Sequence, residues 1–187
     1  TERDVVMARE LAKAFKKDPG LVELYSSPFR LQTYLESGSA WVATTGARLL
    51  GVGLSAAIVR EWDHDNSHGR LIPGARASSL ETIARSNHDP WPDLATIPLI
   101  RGLCQLAKEL TLPAPPDGHA RQALSPGETG EFLATAIQRV DGHPVDPQEA
   151  VETAKDLHVL RVDGGKIRFA HPSMQHLFAA VGCILLI

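Results

Sequence analysis

The sequence is poor in cysteine and in aromatic residues, and it carries almost no excess charge. Its two cysteines, Cys104 and Cys183, are far apart and form no Cys-x-x-Cys pair. This usage predicts two buried, reduced thiols in a cytoplasmic protein. The net charge is −3, so electrostatics alone favour neither nucleic acid nor an anionic membrane as a partner.

The motifs of several enzyme classes are missing. The only Gly-Lys pair, Gly165-Lys166, is followed by Ile167, so no GxxxxGK[ST] loop surrounds a nucleotide phosphate. Neither GxSxG nor HExxH occurs, and the scattered histidines suggest no catalytic triad. The polar run from Asp63 to His68 contains metal-ligand types, but it predicts a solvated loop. We therefore expect no catalytic residue, no metal site and no complete enzyme.

Long apolar runs and a secretory leader are also lacking. The longest apolar stretch, from Phe178 to Ile187, is ten residues, which is too short to span a bilayer. Thr1 to Asp4 are polar and no apolar region follows them. The sequence has no initiator Met and ends within its longest apolar stretch. An exposed end of this kind is unfavourable, so we expect the chain to be part of a larger protein.

The first half of the sequence predicts a bundle of helices. Apolar residues have helical spacing over 2–16, and Ser27 is placed to cap a second helix with Pro28 at its first position. A long helix is predicted from Thr44 or Thr45, with apolar residues at steps of four. Ser78 pairs with Glu81 as a capping box for a short helix. The two prolines that flank Trp91 predict an irregular boundary, which gives a helical domain over 1–92.

The second half predicts three helices, a hairpin and a last helix. The first helix follows Pro98, and the next two begin at the capping sequences Ser125-Pro-Gly-Glu and Asp146-Pro-Gln-Glu. Alternating residues then flank Gly164-Gly165, which is typical of a β-hairpin. Ser173 is predicted to cap the last helix. This order predicts a winged-helix domain over 93–187, so the expected fold class is mainly α with one β-hairpin.

One motif joins the hairpin to the last helix. It reads Phe169-Ala-His-Pro-Ser-Met-Gln-His-Leu-Phe-Ala-Ala180 and places His171 at the start of a helix. The free N–H groups and the dipole of a helix N-terminus favour an anion at such a point. His171 is therefore a candidate anion ligand, and the alternative is that its side chain only caps or packs.

This motif resembles the end of the NACHT module of signal-transduction NTPases, the STAND class. There a strand ending in Phe-x-His runs into a helix that reads Gln-Glu-Tyr-x-Ala-Ala, and this sequence departs from it at His176 and Leu177. A second segment, Leu21-Val-Glu-Leu-Tyr-Ser-Ser-Pro-Phe-Arg-Leu-Gln32, is similar to the Leu-x-x-Asn-Pro-Leu segment that opens the helical domain of that family. The helix from Leu50 to Trp62 is similar to the long helix that follows it.

The resemblance implies a regulatory role with two nucleotide contacts. Pro28 would pack against the adenine and His171 would reach the β-phosphate of ADP. The start of 1–92 could belong to the tail of the nucleotide core. ATP or ADP with Mg²⁺ would bind only together with that upstream core, and a sensor domain would follow the chain. ADP would hold the arrangement closed, and ATP would favour an open, homo-oligomeric form in signalling or defence. The parent protein would be an ATPase.

Two other functions remain open from the sequence. A winged helix can serve as a DNA-binding or protein-binding adaptor without nucleotide dependence. Its expected recognition helix, however, carries Glu149, Glu152 and Asp156 against Lys155 alone, and acidic groups are repelled by phosphates. The third interpretation is a helical interaction module that ignores nucleotides. No nucleic acid or membrane is expected as a partner.

Overall fold

A computed structural model describes residues 2–37, 42–66, 72–75, 77–85, 89–111 and 123–185. The described chain is mainly helical with one small antiparallel sheet, as predicted. Its elements, in chain order, are α1 Glu2–Lys17, α2 Gly20–Tyr25, α3 Pro28–Ser37, α4 Gly46–Asn66, α5 Ala77–Arg85, α6 Trp91–Leu94, α7 Pro98–Thr111, α8 Pro126–Asp141, α9 Pro147–Asp156, β1 Leu160–Asp163, β2 Lys166–Phe169 and α10 Pro172–Leu185.

Two tyrosines organise a small core among α1, α2, α3 and the start of α4. Tyr34 is fully buried, and its hydroxyl donates to the Met7 carbonyl at 3.3 Å. Tyr25 meets Tyr34 edge-on, with ring centroids 5.5 Å apart, and its hydroxyl donates to the Ala43 carbonyl at 3.0 Å. Both phenols thus satisfy their polar ends inside an apolar cluster, which lets aromatic rings pack without an orphaned hydroxyl.

Helices α3 and α4 pack closely because the residue of α4 that faces Thr33 of α3 is Gly53, which has no side chain. A Cβ on Gly53 would be 2.4 Å from Cγ2 of Thr33. The Thr33 methyl cannot simply rotate away, since the hydroxyl on the same carbon donates to the Phe29 carbonyl at 2.8 Å. Helix α4 starts after Thr45, whose side chain accepts from the Arg48 N–H at 3.2 Å, as the sequence predicted.

A larger core fills the rest of the molecule. It combines α4, α5 and α6 with α7, which packs on both α8 and α10, and with apolar residues of α9 and the hairpin. The predicted leucine stripe of α7, from Leu99 to Leu110, is buried throughout. This core draws residues from both sides of position 92, and the division into 1–92 and 93–187 remains a prediction.

Local signals placed the starts of α8 and α9 correctly. Ser125 and Glu128 form the predicted capping box, with the Glu128 N–H donating to Ser125 Oγ at 3.2 Å and the Ser125 N–H donating to Glu128 Oε2 at 2.9 Å. Asp146 also caps its helix, although its Oδ1 accepts from the Gln148 N–H at 2.8 Å and so reaches the second helical residue. These caps satisfy N–H groups that have no partner within the helix.

The hairpin is as predicted, and a further residue joins it. Gly164 and Gly165 have φ of 57° and 75°, which are the two positive values that a type I′ turn needs. Leu124, ahead of α8, bridges Ile167 of β2 in antiparallel fashion, with hydrogen bonds of 2.7 and 3.4 Å. The sheet thereby gains a third, single-residue edge that the sequence pattern did not indicate.

Three helix starts differ from the predictions. Helix α5 begins at Ala77, so Ser78 lies inside its first turn and does not precede it. The segment around Trp91 was predicted to be irregular but forms α6, since a proline is tolerated in the first turn of a helix. Helix α10 begins at Pro172, and its cap is therefore His171 and not Ser173.

The polar run was also predicted wrongly in part. Helix α4 continues to Asn66 and therefore includes the first residues of the run from Asp63 to His68, which were expected to form a loop. Asp, Asn and His are only weakly unfavourable inside a helix, so a long packed helix can extend over them. The rest of the run, 67 and 68, lies outside the described residues.

Candidate functional site

His171 directly precedes α10 and caps it with its own imidazole. Its Nδ1 accepts a hydrogen bond of 3.1 Å from the Ser173 N–H, while its carbonyl oxygen accepts from the Met174 N–H at 3.0 Å. An imidazole nitrogen that accepts a backbone N–H carries no proton of its own. In the neutral ring the proton must then be on Nε2. The side chain thus combines one acceptor used by the helix with one N–H donor on its other edge.

Phe29, in the first turn of α3, stacks on this imidazole. The two ring centroids are 4.5 Å apart and the rings are inclined by only 6°. Both residues are half-buried, whereas the neighbouring Pro28 is exposed. The fold therefore brings together the two segments that were predicted to contribute nucleotide contacts. The direct contact, however, is made by Phe29 and not by Pro28.

Gln175 fixes α10 against the end of α7. Its Nε2 donates to the Leu110 carbonyl at 3.2 Å and to the Thr111 hydroxyl at 3.1 Å. The last carbonyls of a helix have no partner within it, so this side chain works as a cap supplied from another helix. The Gln of the motif is thus a structural residue that holds the position of His171 relative to α7.

A cleft begins at Phe29, beside its stack with His171. It lies between α3 and α4 on one side and the C-terminal end of α9 and the first turn of α10 on the other. Its volume is about 90 Å³, which is smaller than the range of about 300–1,000 Å³ that is usual for ligand pockets. The apolar side chains that line it are those of Phe29, Leu50, Leu54, Ala57, Leu157 and Met174. Glu36, Arg60 and His158 also line it. Since these groups include both signs of charge, the cleft selects neither an anion nor a cation.

The helix that is expected to read DNA in a winged helix is not basic. On α9, Lys155 forms an ion pair with Glu152 at 2.7 Å, which leaves Glu149 and Asp156 as uncompensated acidic neighbours on that helix. In the hairpin, Arg168 pairs with Asp163 at 3.6 Å. Helix α9 therefore keeps an acidic face, which disfavours phosphate binding there. In the hairpin, Arg161 and Lys166 have no ion pair among the described residues.

The cysteines follow the prediction only for one thiol. Cys104 is buried in the core, and burial raises the pKa of its thiol to about 12, partly offset by the charge of Arg101. Cys183 is exposed, because it lies on the face of α10 that also exposes Ala180 and Ile184 and that turns away from α7. Two buried thiols were expected, and this expectation was wrong for Cys183.

Two further expectations concern metals and membranes. Among the described residues, no group of three or more histidines, cysteines, aspartates or glutamates lies close enough together to hold a metal ion. Within the same part of the chain, every helix is too short or too polar to cross a bilayer.

The sequence did not identify Phe29 as a site residue. The only signal is its position directly after Pro28, where an aromatic side chain occupies the first turn of a helix. A helical period can place such a ring on a face of α3. It does not predict a contact with His171 at the start of α10, because that contact depends on how the two helices pack.

Comparison with known proteins identified no relative: no protein-family model, no curated protein and no solved structure matches this chain.

Proposed function

We propose that this chain is the helical and winged-helix portion of a NACHT-type STAND NTPase, in which it works as a nucleotide-dependent switch and oligomerisation element. The observation that carries the proposal is the stacking of Phe29 on His171 at 4.5 Å. It joins the two short segments in which the sequence resembles that family. A chance resemblance in two distant segments gives no reason for them to meet in the fold.

The arrangement after residue 98 supports the winged-helix part of the proposal. Helices α7, α8 and α9 pack in sequence, the hairpin follows, and Leu124 adds an edge to β2. His171 lies two residues after the end of the hairpin.

The state of His171 supports a role as phosphate ligand. With Nδ1 occupied by the Ser173 N–H, the imidazole offers an N–H donor on Nε2, and hydrogen bonds to a charged phosphate are among the stronger ones in proteins. This donor fits the β-phosphate of ADP. The P-loop and the Mg²⁺ ligands would come from an upstream core, since the sequence contains no GxxxxGK[ST].

The switch then follows from differential binding. In the resting state, the β-phosphate would hold His171 and α10 close to the nucleotide core and to α3. ATP carries a further phosphate that competes for the same space and so favours the arrangement in which the winged helix has moved away. A ligand shifts such an equilibrium only by its difference in affinity for the two states. The open form would expose the surfaces used for oligomerisation.

The experiment that tests this proposal uses the parent protein with its P-loop segment, purified with bound nucleotide. We compare ADP release from the wild type, His171→Ala and His176→Ala. His176 is an exposed histidine of the same helix and serves as the matched control. Loss of one charge-assisted hydrogen bond should speed ADP release by about tenfold or more in His171→Ala only.

Two results would count against the proposal. If the coding sequence upstream holds no GxxxxGK[ST] within a domain length, nucleotide binding has no core and a protein-binding adaptor is favoured. If the P-loop is present but both histidine variants release ADP at the wild-type rate, His171 does not bind the β-phosphate of ADP. Salt-sensitive binding of duplex DNA by the chain would instead favour the DNA-binding adaptor.

A further inference from the structure

We infer that Phe29 is a positioning residue that holds the plane of the His171 imidazole, so that the direction of its Nε2–H donor is fixed by a second contact while α3 is packed against the start of α10. The inference rests on the proposed function for the identity of the ligand. The positioning itself rests on the geometry of the two rings and does not depend on any nucleotide.

Two separate contacts orient the imidazole. The hydrogen bond from the Ser173 N–H to Nδ1, at 3.1 Å, fixes the direction of one edge of the ring and also its tautomer. The Phe29 ring, inclined by 6°, fixes the direction in which the imidazole plane faces. Because the ring is also bonded to Cβ, this hydrogen bond restricts its rotation about the Cβ–Cγ bond. The stack restricts the same rotation from the side of α3, and the two contacts together hold the Nε2–H bond in one direction.

An aromatic side chain is required for this role. A leucine at position 29 would fill a similar apolar space, but its branched end has no flat face and cannot impose a plane on the imidazole. Tyrosine keeps the flat face and adds only a hydroxyl at the far end of the ring. Phe29 is half-buried, so that hydroxyl has a route to solvent. Leucine and tyrosine therefore separate the effect of ring stacking from the effect of filling space.

The two residues belong to different parts of the fold. Phe29 is fixed by α3, where its carbonyl accepts from the Thr33 hydroxyl, and His171 is fixed by α10 and by the clamp of Gln175 on α7. Separation of α3 from α10 would leave His171 capping its helix but remove the plane constraint. The donor is thus held by both contacts in the closed arrangement alone. By linkage, a ligand that uses Nε2–H stabilises the α3–α10 contact, and this contact strengthens ligand binding by the same factor.

The first test measures the imidazole directly in the 187-residue chain. Long-range ¹⁵N–¹H spectra of selectively labelled histidine report the tautomer and the ring environment of His171, and the exposed His176 serves as an internal control. The wild type and Phe29→Tyr should show the Nε2–H tautomer with ring protons shifted upfield by the stacked aromatic. Phe29→Leu should lose the upfield shift at His171 but keep the Nε2–H tautomer, because the Ser173 N–H still donates to Nδ1, and the His176 signals should be unchanged.

Identical His171 spectra in the wild type and in Phe29→Leu would overturn the inference. If Phe29→Leu does not fold, Phe29→Tyr still decides the question: loss of the stacked signature in that folded variant also overturns it, because a conservative ring should retain the plane.

The second test separates this inference from the proposed function. In the parent protein with its P-loop segment, we measure ADP release from Phe29→Leu and Phe29→Tyr. An increase of about tenfold in Phe29→Leu, rescued in Phe29→Tyr, supports both the positioning role and the nucleotide latch. If the His171 spectra change but ADP release does not, Phe29 positions the imidazole, and ADP is not the ligand of His171.

Discussion

Trp91 meets Phe178 edge-on, with ring centroids 5.7 Å apart and an interplanar angle of 89°. The indole Nε1 also donates a hydrogen bond of 2.9 Å to the carbonyl of Ala47, in the first turn of α4. Phe178 in turn packs against Phe169 at the end of the hairpin. Through one side chain of the short helix α6, the long helix α4 is thus connected to α10, the helix that carries His171 at its start.

Replacing Trp91 by Phe should lower the stability of the whole chain. The smaller ring keeps much of the contact with Phe178 but loses the hydrogen bond to Ala47 and part of the buried area. We expect the free energy of unfolding to fall by about 1–2 kcal/mol. Urea denaturation followed by circular dichroism measures this. Val162→Ala, at an exposed position, should change it by less than about 0.5 kcal/mol. Equal losses in both variants would contradict the link described here.

Gly53→Ala should destabilise the packing of α3 on α4. The added methyl would be 2.4 Å from Thr33 Cγ2, which is too close for two carbon atoms that are not bonded to each other. Relief requires either a shift of the helices or rotation of Thr33 with loss of its hydrogen bond to Phe29. We expect a loss of about 1–3 kcal/mol in the free energy of unfolding, despite the better helix propensity of alanine.

A second-site change checks the cause of that loss. Thr33→Ser removes the clashing methyl and keeps the hydroxyl, so it should recover most of the stability of Gly53→Ala. Gly127→Ala is the matched control, because a Cβ there meets no atom within 4 Å and α8 should become equally or slightly more stable. A loss in Gly53→Ala that Thr33→Ser does not recover would show that the methyl contact is not its source.

His158→Gly should make the protein more stable. His158 has φ of 56°, the left-handed region that is strained for any residue with a Cβ. It ends α9 in a Schellman arrangement, with its N–H bonded to the Lys155 carbonyl and the Val159 N–H bonded to the Ala154 carbonyl. Relief of strain, about 1–2 kcal/mol, exceeds the entropy that glycine loses on folding, about 0.5–1 kcal/mol. The net gain should be about 0.5–1 kcal/mol in thermal or urea unfolding.

The opposite substitution provides the control at the end of α8. Gly142 has φ of 82° and no neighbouring atom within 4 Å of an added Cβ. Gly142→Ala therefore introduces backbone strain without a steric clash and should cost about 1 kcal/mol. Changes of the same sign in His158→Gly and Gly142→Ala would refute the assignment of both effects to the left-handed backbone.

The two thiols should differ strongly in reactivity. With a pKa of about 12 and almost no exposed surface, Cys104 holds roughly 10⁻⁴ of its thiol as thiolate at pH 8. Cys183 is exposed and should react with a disulfide reagent as a simple thiol does. We expect one fast thiol per chain in native buffer and two in urea. Fast loss of both thiols in native buffer would show that the core around Cys104 opens readily.

The buried thiol of Cys104 should lower the free energy of unfolding at alkaline pH. The pKa of Cys104 rises from 9.0 to about 12 on folding, so the unfolded chain loses this proton first. Its contribution to stability is complete below pH 9 and is lost as the pH rises towards 12, at up to about 1.4 kcal/mol per pH unit. Cys104→Ala should reduce that slope in urea titrations at pH 8 to 11. The slope that remains would include Tyr25, whose pKa burial also raises to about 12.

Signals that act within a few residues allowed the most accurate predictions. The caps at Thr45, Ser125 and Asp146 and the turn at Gly164-Gly165 depend on hydrogen bonds and dihedral angles that neighbouring residues settle among themselves. Local signals were misleading where two of them overlapped. At the start of α10, both His171 and Ser173 can cap a helix, and the position of Pro172 as its first residue decides for His171.

The sequence by itself determined most of the helices, the hairpin and the presence of a histidine at a helix start, because spacing, caps and turn residues are local properties. Only the tertiary structure decided that Phe29 stacks on His171, that Trp91 joins α4 to α10, and which thiol is buried. These contacts join residues far apart in the chain, and many sequences with the same local pattern could pack differently. The physical reason is that the helical period specifies an apolar face of each helix but does not specify which face of another helix it meets.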